Sequence, residues 1–350
     1  MVGDMRSDTE AVARASVSHG RIEYIDGIRG VASLMVALQH PLEFAFPGYA
    51  AWSAEWVNLG RIGIVAFFLV SGYVVGLTLS NQSAATFTIR RFWRLYPIYW
   101  LATLAYALVA LMTGDAQGGF TLAVIAINIT MLQGFIGATT ILGVAWTLGI
   151  EVVFYIQSVV SKLARRLDLS VWLGLCWLAA FGALAWSNYF RLTGFTAVVP
   201  LMMFTASLGF SLYLWESQRS RSLLVLLPSA ILVVPALGWL LEYDGQGTTS
   251  SWTPMGFDSS YLIGLVIFWA FYALRNAEVA TPVLWLGKIS YSLYLVHTIV
   301  MIAVAPIGLP APVFVAVSVV TSLGAAWAAH VLVERPSIDF GRRITMRRSR

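Results

Sequence analysis

"RGVASLMVALQH", Arg29 to His40, decides how this chain is read. Ten residues separate the arginine from the histidine, and nine of them are apolar or small. The segment is too apolar for a solvated helix. On a helix, eleven residues turn through about 1,100°, which returns within about 20° of the start. Arg29 and His40 therefore share a face. About 16 Å of rise separates them, roughly half of a 30 Å hydrocarbon layer. A cation and an imidazole at such depths must face protein or water, because lipid cannot satisfy them.

Composition extends this reading to the whole chain. Of 350 residues, 59% are hydrophobic and 11% are charged, and the mean hydropathy is +0.77. A soluble domain carries about a quarter charged residues. The chain therefore reads as a polytopic membrane protein, all-α, with no soluble domain, no internal repeat and no nucleic-acid partner. Cys176, the single cysteine, lies in an apolar run and excludes an internal disulfide or a cysteine-based metal cluster. The four histidines have no ligand spacing, so no metal is expected. His19 falls in a polar amino-terminal stretch without the apolar core of a cleavable signal.

Apolar runs of spanning length start near Ile28, Leu59, Phe92, Trp146, Val171, Thr196, Leu223, Ser260, Ile289 and Ala311. An eleventh, Phe120 to Phe135, is shorter and holds Asn128 and Gln133. Charge decides its role. If the amino terminus is inside and this run does not span, the inside holds Arg90, Arg91, Arg94, Lys162, Arg165, Arg166, Arg219, Arg221, Arg275, Lys288 and the basic end from Arg335. Only Arg61 and Arg191 then fall outside, as does "EYDGQGTTSSWTPMGFDSS", which lacks Lys and Arg. This obeys the positive-inside rule. The expectation is a transmembrane helical bundle of about ten spans plus one short or re-entrant segment, with both termini cytoplasmic. A cysteine introduced at position 165 should then label from inside, and one at position 247 from outside.

Further segments follow "YIDGIRGVASLMVALQH" in order: "FFLVSGYVVG" (Phe67 to Gly76), "RRFWRLYPIYW" (Arg90 to Trp100), "WTLGIEVVFYI" (Trp146 to Ile156), "LGKISYSLYLVH" (Leu286 to His297) and "VERP" (Val333 to Pro336). In this order they resemble the acyltransferase-3 family of integral membrane acyltransferases. The Arg-x10-His element is a signature of that family, and the resemblance runs from Tyr24 to Pro336. It implies a polar cytoplasmic tail over 1–24, the acyltransferase-3 membrane domain over 25–336, and a basic cytoplasmic tail over 337–350. It also implies a stand-alone member without a fused hydrolase-like domain, in a bacterial cytoplasmic (inner) membrane. The sequence departs from many relatives at "FFLVSGY", at "TIV" after His297, and at Val152, where a second acidic residue is usual.

The resemblance implies acyl transfer from cytoplasmic acyl-CoA, chiefly acetyl-CoA, to a hydroxyl of a surface polysaccharide or lipid-linked sugar. Acyl-CoA is a co-substrate and no cofactor is bound. Acylation of a small metabolite such as a macrolide is the rival within the class. A transporter or flippase of lipid-linked sugars is the rival outside it. Arg29, Arg90, Arg91 and Arg94 are the candidates to hold the phosphates of acyl-CoA, since guanidinium forks match phosphate oxygens. Each also reads as a plain topology anchor. His40 is the candidate base, and Glu151, placed on the outer side with it, the carboxylate that orients it. Ser71, Ser290, Tyr291, Tyr294 and His297 are candidates to line the acyl channel or supply oxyanion donors, against a plainer role in interhelical bonding. Gly72 reads as a close-packing position and Pro97 as shaping a helix entry. His330 reads as a structural bond, and Glu334 with Arg335 as a local interfacial charge pair.

Overall fold

The computed structural model describes residues 2–114, 120–190, 197–242 and 253–347, with side chains from residue 23 onward. Arg191 and most of the loop beginning "EYDGQGTTSS" lie outside the described residues, as does the His19 side chain. Among the described residues there are helices and no strands.

Nine helical stretches are long and apolar enough to cross a membrane. They are built from α3 (Leu59–Asn81), α4 (Ala84–Thr113), α6 (Trp146–Leu163), α7 (Leu169–Tyr189), α8 (Val198–Gln218), α9 with α10 (Leu223–Pro228, Val234–Glu242), α11 (Pro254–Ala273), α12 (Thr281–Val304), and α13 with α14 (Ala311–Ala329, Arg335–Arg347). The opening helix, α1 (Val2–Ala45), is not one of the nine. Its Arg29, Gln39, His40 and Glu43 lower its hydropathy, and α3, α11, α12 and α13 pack around it. Two short helices do not cross. α2 (Pro47–Glu55) follows α1, and α5 (Leu122–Asn128) is seven residues, about 10 Å of rise. The run from Phe120 to Phe135 is therefore not one spanning helix, and its backbone accepts hydrogen bonds from Tyr96, Tyr99 and Trp100 of α4. Asn128 also pins it: its amide donates to Thr139 O at 2.8 Å and accepts from Ile141 N at 3.0 Å.

Glycines set the two crossings that build the site. A Cβ on Gly72 of α3 would lie 1.8 Å from Ala206 O of α8, and one on Gly209 of α8 would lie 2.0 Å from Leu69 O. Gly72 is thus a close-packing position. Likewise, Gly30 of α1 abuts Val283 O (2.6 Å) and Gly287 of α12 abuts Asp26 O (2.2 Å). Ten residues beyond Gly30 is His40, and ten beyond Gly287 is His297. These rings stack with centroids 5.2 Å apart. α1 and α12 run parallel in register, and the glycine contact at one end sets the histidine contact at the other.

Two wide π turns, Ser229–Val233 and His330–Glu334, each end two residues before a proline, Pro235 and Pro336. Proline has no N–H for the carbonyl four residues back, so the helix widens there. The second turn corrects one expectation. Glu334 does not pair with Arg335 at the surface; it is 2% exposed and accepts from Ser292 Oγ at 2.6 Å, with His330 Nδ1 at 2.9 Å. His330 does make the structural bond expected of it. The segment from 337 is a helix as far as Arg347, packed on α4 through Trp93 and Phe340. At the other terminus α1 is continuous through position 24, and Tyr24 is 1% exposed.

Candidate active site

Two cavities meet inside the bundle. The first lies at the Arg29 end. Arg29 enters it from α1, Ser71 from α3, Arg91 and Arg94 from α4, Glu151 from α6, and Ser290, Tyr291 and Tyr294 from α12. Arg91 and Arg94 are three residues apart and share a helix face. Arg90 does not reach the cavity: its Nε donates to Thr345 Oγ1 of α14 at 2.9 Å. Of the four arginine candidates, Arg29, Arg91 and Arg94 line the cavity and Arg90 does not.

The three guanidinium groups differ in how they are held. Arg91 lies over the rings of Phe87 and Tyr155, each 5.2 Å away, and donates to Thr78 Oγ1 at 3.3 Å. Arg29 and Arg94 form no hydrogen bond or ion pair with a described residue, and their like charges act on each other. One carboxylate, Glu151, lines the cavity with these three cations, and Asp26 and Glu334 also act on Arg29 from outside the lining. Glu151 accepts from Ser71 Oγ at 2.9 Å and from Tyr155 OH. Ser290 Oγ is buried in the same wall without a partner. Tyr291 OH is held by Leu95 O at 3.1 Å. The result is a cavity whose lining offers three guanidinium groups and one carboxylate already bonded to protein hydroxyls, which suits an anionic ligand.

The second cavity lies at the His40 end. His40, Gln39 and Glu43 line it from α1, Asn58 and Arg61 from the start of α3, and Glu242 from α10, alongside Trp146, Phe181, Phe257 and Tyr261. His297 stands behind His40, 2% exposed, with its Nδ1 at 3.1 Å from Leu293 O. It backs the His40 ring rather than lining the cavity. Polar groups set among aromatic walls suit a hydroxylated ligand.

Ile64 and Tyr294 line both cavities. Tyr294 is fixed between them. Its hydroxyl is 2.9 Å from Val144 O and 2.7 Å from Thr147 Oγ1, and its ring meets Phe67 edge-on.

This geometry separates two residues expected to pair. Glu151 does not orient His40; it sits with Ser71 and the arginines. The cause is the entry to α6. Leu142 and Ala145 are fully buried, so the chain has already dipped into the bundle where α6 begins. Glu151, five residues later, lies beside Ser71, about 18 Å along α3 from Leu59. The carboxylate near His40 is Glu43, with Oε2 3.7 Å from His40 Nδ1. The sequence reading passed over Glu43, although "QHPLE" places it on the His40 face of α1.

The sequence matches the family described as "Acyltransferase domain" over residues 22–331. It is similar to "Nodulation protein 10" of Rhizobium leguminosarum bv. viciae, 25% identical over 95% of this chain and 97% of that protein. It is also similar to "Exopolysaccharide production protein ExoZ" of Rhizobium meliloti, 28% identical over 81% of this chain and 92% of that protein. "Acyltransferase MdmB" of Streptomyces mycarofaciens is 26% identical over 46% of this chain and 43% of its own length. No solved structure matches.

Proposed function

This chain belongs to the acyltransferase-3 family and is a membrane acyltransferase, and we propose that it moves an acetyl group from cytoplasmic acetyl-CoA to a sugar hydroxyl of a surface polysaccharide or lipid-linked glycan. The observation that carries the donor half is the pair of guanidinium groups, Arg29 and Arg94, facing one cavity without protein partners. Phosphates of CoA supply the missing acceptors, with Arg91 beside them. The unpartnered Ser290 hydroxyl suits an amide or carbonyl of the pantetheine arm. The Arg29 end faces the cytoplasm in this reading, and both termini lie there.

The acceptor half rests on the His40 cavity and on the exopolysaccharide role in the name of one relative. The thioester reaches it past Tyr294. His40 takes the proton of the acceptor hydroxyl as the oxygen attacks the thioester carbonyl. The C–S bond then breaks, and the imidazolium returns the proton to the departing thiolate. The acyl group ends on the acceptor oxygen and the proton on sulfur. The Tyr294 hydroxyl is spent on Val144 O and Thr147 Oγ1, so in this reading Tyr294 lines the passage and does not donate to the developing oxyanion.

The test is free thiol released from acetyl-CoA by the purified protein in proteoliposomes made from the host's own membrane lipid and glycan extract. Thiol release matched by acetyl ester on extracted glycan supports the reading. Binding of acetyl-CoA without thiol release would make the protein a carrier and overturn it.

A further inference from the structure

We propose that Glu43 is the positioning residue for His40, locked in place by Gln39 and Asn58; this rests on the reading of His40 as the group that takes the acceptor proton. Glu43 follows His40 by three residues on α1, and its Oε2 stands 3.7 Å from His40 Nδ1. Its other oxygen accepts from Gln39 Nε2 at 2.7 Å and from Asn58 Nδ2 at 3.3 Å. Neither amide is free to move. Gln39 is 1% exposed; its Oε1 accepts from Tyr49 OH at 3.0 Å and Leu59 N at 2.9 Å, and its Nε2 also lies 3.2 Å from Ser53 Oγ. Asn58 caps α3 by accepting from Arg61 N at 2.8 Å, and its own backbone N–H donates to Ser260 Oγ at 2.8 Å. The carboxylate is therefore anchored through α1, α2, α3 and α11 at once.

Other groups around His40 have other engagements. His297 stacks on its ring, and its Nδ1 is turned to Leu293 O. Tyr294 is bound to Val144 and Thr147. Arg61 and Glu242 line the cavity from α3 and α10, and Tyr261 from α11. Among the described residues, Glu43 is the carboxylate within ion-pair range of His40. It faces Nδ1 and so favours the Nδ1–H tautomer, leaving the Nε2 lone pair to accept the hydroxyl proton. When His40 is protonated, the fixed carboxylate stabilises the imidazolium until the proton passes to the thiolate. Catalytic hydrogen bonds are often long without substrate, and 3.7 Å is consistent with a contact that tightens when one binds.

The experiment follows label from radiolabelled acetyl-CoA in proteoliposomes of the host membrane extract, with donor affinity measured by calorimetry on the same preparations. Wild-type turnover and its loss in His40→Ala establish the underlying reading; activity retained in His40→Ala sinks that reading and not the network alone. Given that baseline, Glu43→Gln should lower kcat about 10²-fold, the low end for removing a base, with the KM for acetyl-CoA unchanged. Added to His40→Ala, it should lower turnover no further. Asn58→Ala leaves the carboxylate but releases it, and should lower kcat about tenfold while thermal unfolding shows the protein folded. Glu43→Asp should recover part of the loss. A Glu43→Gln kcat within about twofold of wild type, or a loss in KM alone, would overturn the proposal. If Glu43→Gln does not fold, Asn58→Ala decides: unchanged kcat overturns it.

Discussion

The two cavities hold different inventories of charge and treat them in opposite ways. At the Arg29 end, Arg29 and Arg94 stand without hydrogen bonds while the carboxylate that lines the cavity, Glu151, is already bonded to Ser71 and Tyr155. At the His40 end, Glu43 is held by two amides and directed at the imidazole. Unsatisfied cations in an enclosed space mark a site waiting for an anion; a satisfied carboxylate against a histidine marks a group prepared to bear a proton. In the proposed function one cavity binds the donor and the other carries the proton transfer, with Tyr294, which lines both, between them.

Substitutions break this comparison in a definite order. Glu151→Gln and Glu43→Gln act in separate cavities, so their losses in kcat/KM should multiply in the double variant. Non-additive losses would mean that the two carboxylates work on one proton after all. Next in size, Arg29→Ala should weaken acetyl-CoA binding about tenfold to hundredfold, as a charge-assisted hydrogen bond is worth about 1.5–3 kcal/mol. Arg29→Lys should restore part of this, because an ammonium keeps the charge without the fork. Calorimetric titration reads both, and unchanged affinity would reduce Arg29 to a topology anchor. Tyr294→Phe keeps the ring but frees it from Val144 and Thr147. Removing hydrogen bonds of about 1 kcal/mol should change kcat by about fivefold or less, and thiol release should exceed acyl transfer as water reaches the thioester. A ratio held at unity would show that Tyr294 does not divide the cavities. Smallest is Arg90→Ala. Since Arg90 binds Thr345, donor affinity should stay within about twofold of wild type.

The sequence carried more of the fold than of the site. The Arg29 and His40 face, the crossing by Gly72 and the short run near Asn128 follow from helical period, residue size and the charge of short loops, which are local properties. Glu151 was placed too near the surface because hydropathy does not show that 142–145 already lies inside the bundle. Arg90 and Arg94 share a face as well as Arg91 and Arg94 do; the neighbour that draws Arg90 away is Thr345, 255 residues distant. Glu43 was legible in "QHPLE", but its partner Asn58 lies beyond α2 and is found only by folding.

The claim that binding and proton transfer occupy different cavities is tested most directly by measuring acetyl-CoA affinity and turnover side by side in Arg94→Ala and His40→Ala. The account predicts that His40→Ala binds acetyl-CoA as wild type does while turnover falls by about 10² to 10⁴, and that Arg94→Ala loses affinity and recovers turnover as donor concentration rises. Equal loss of donor affinity in both variants would contradict it.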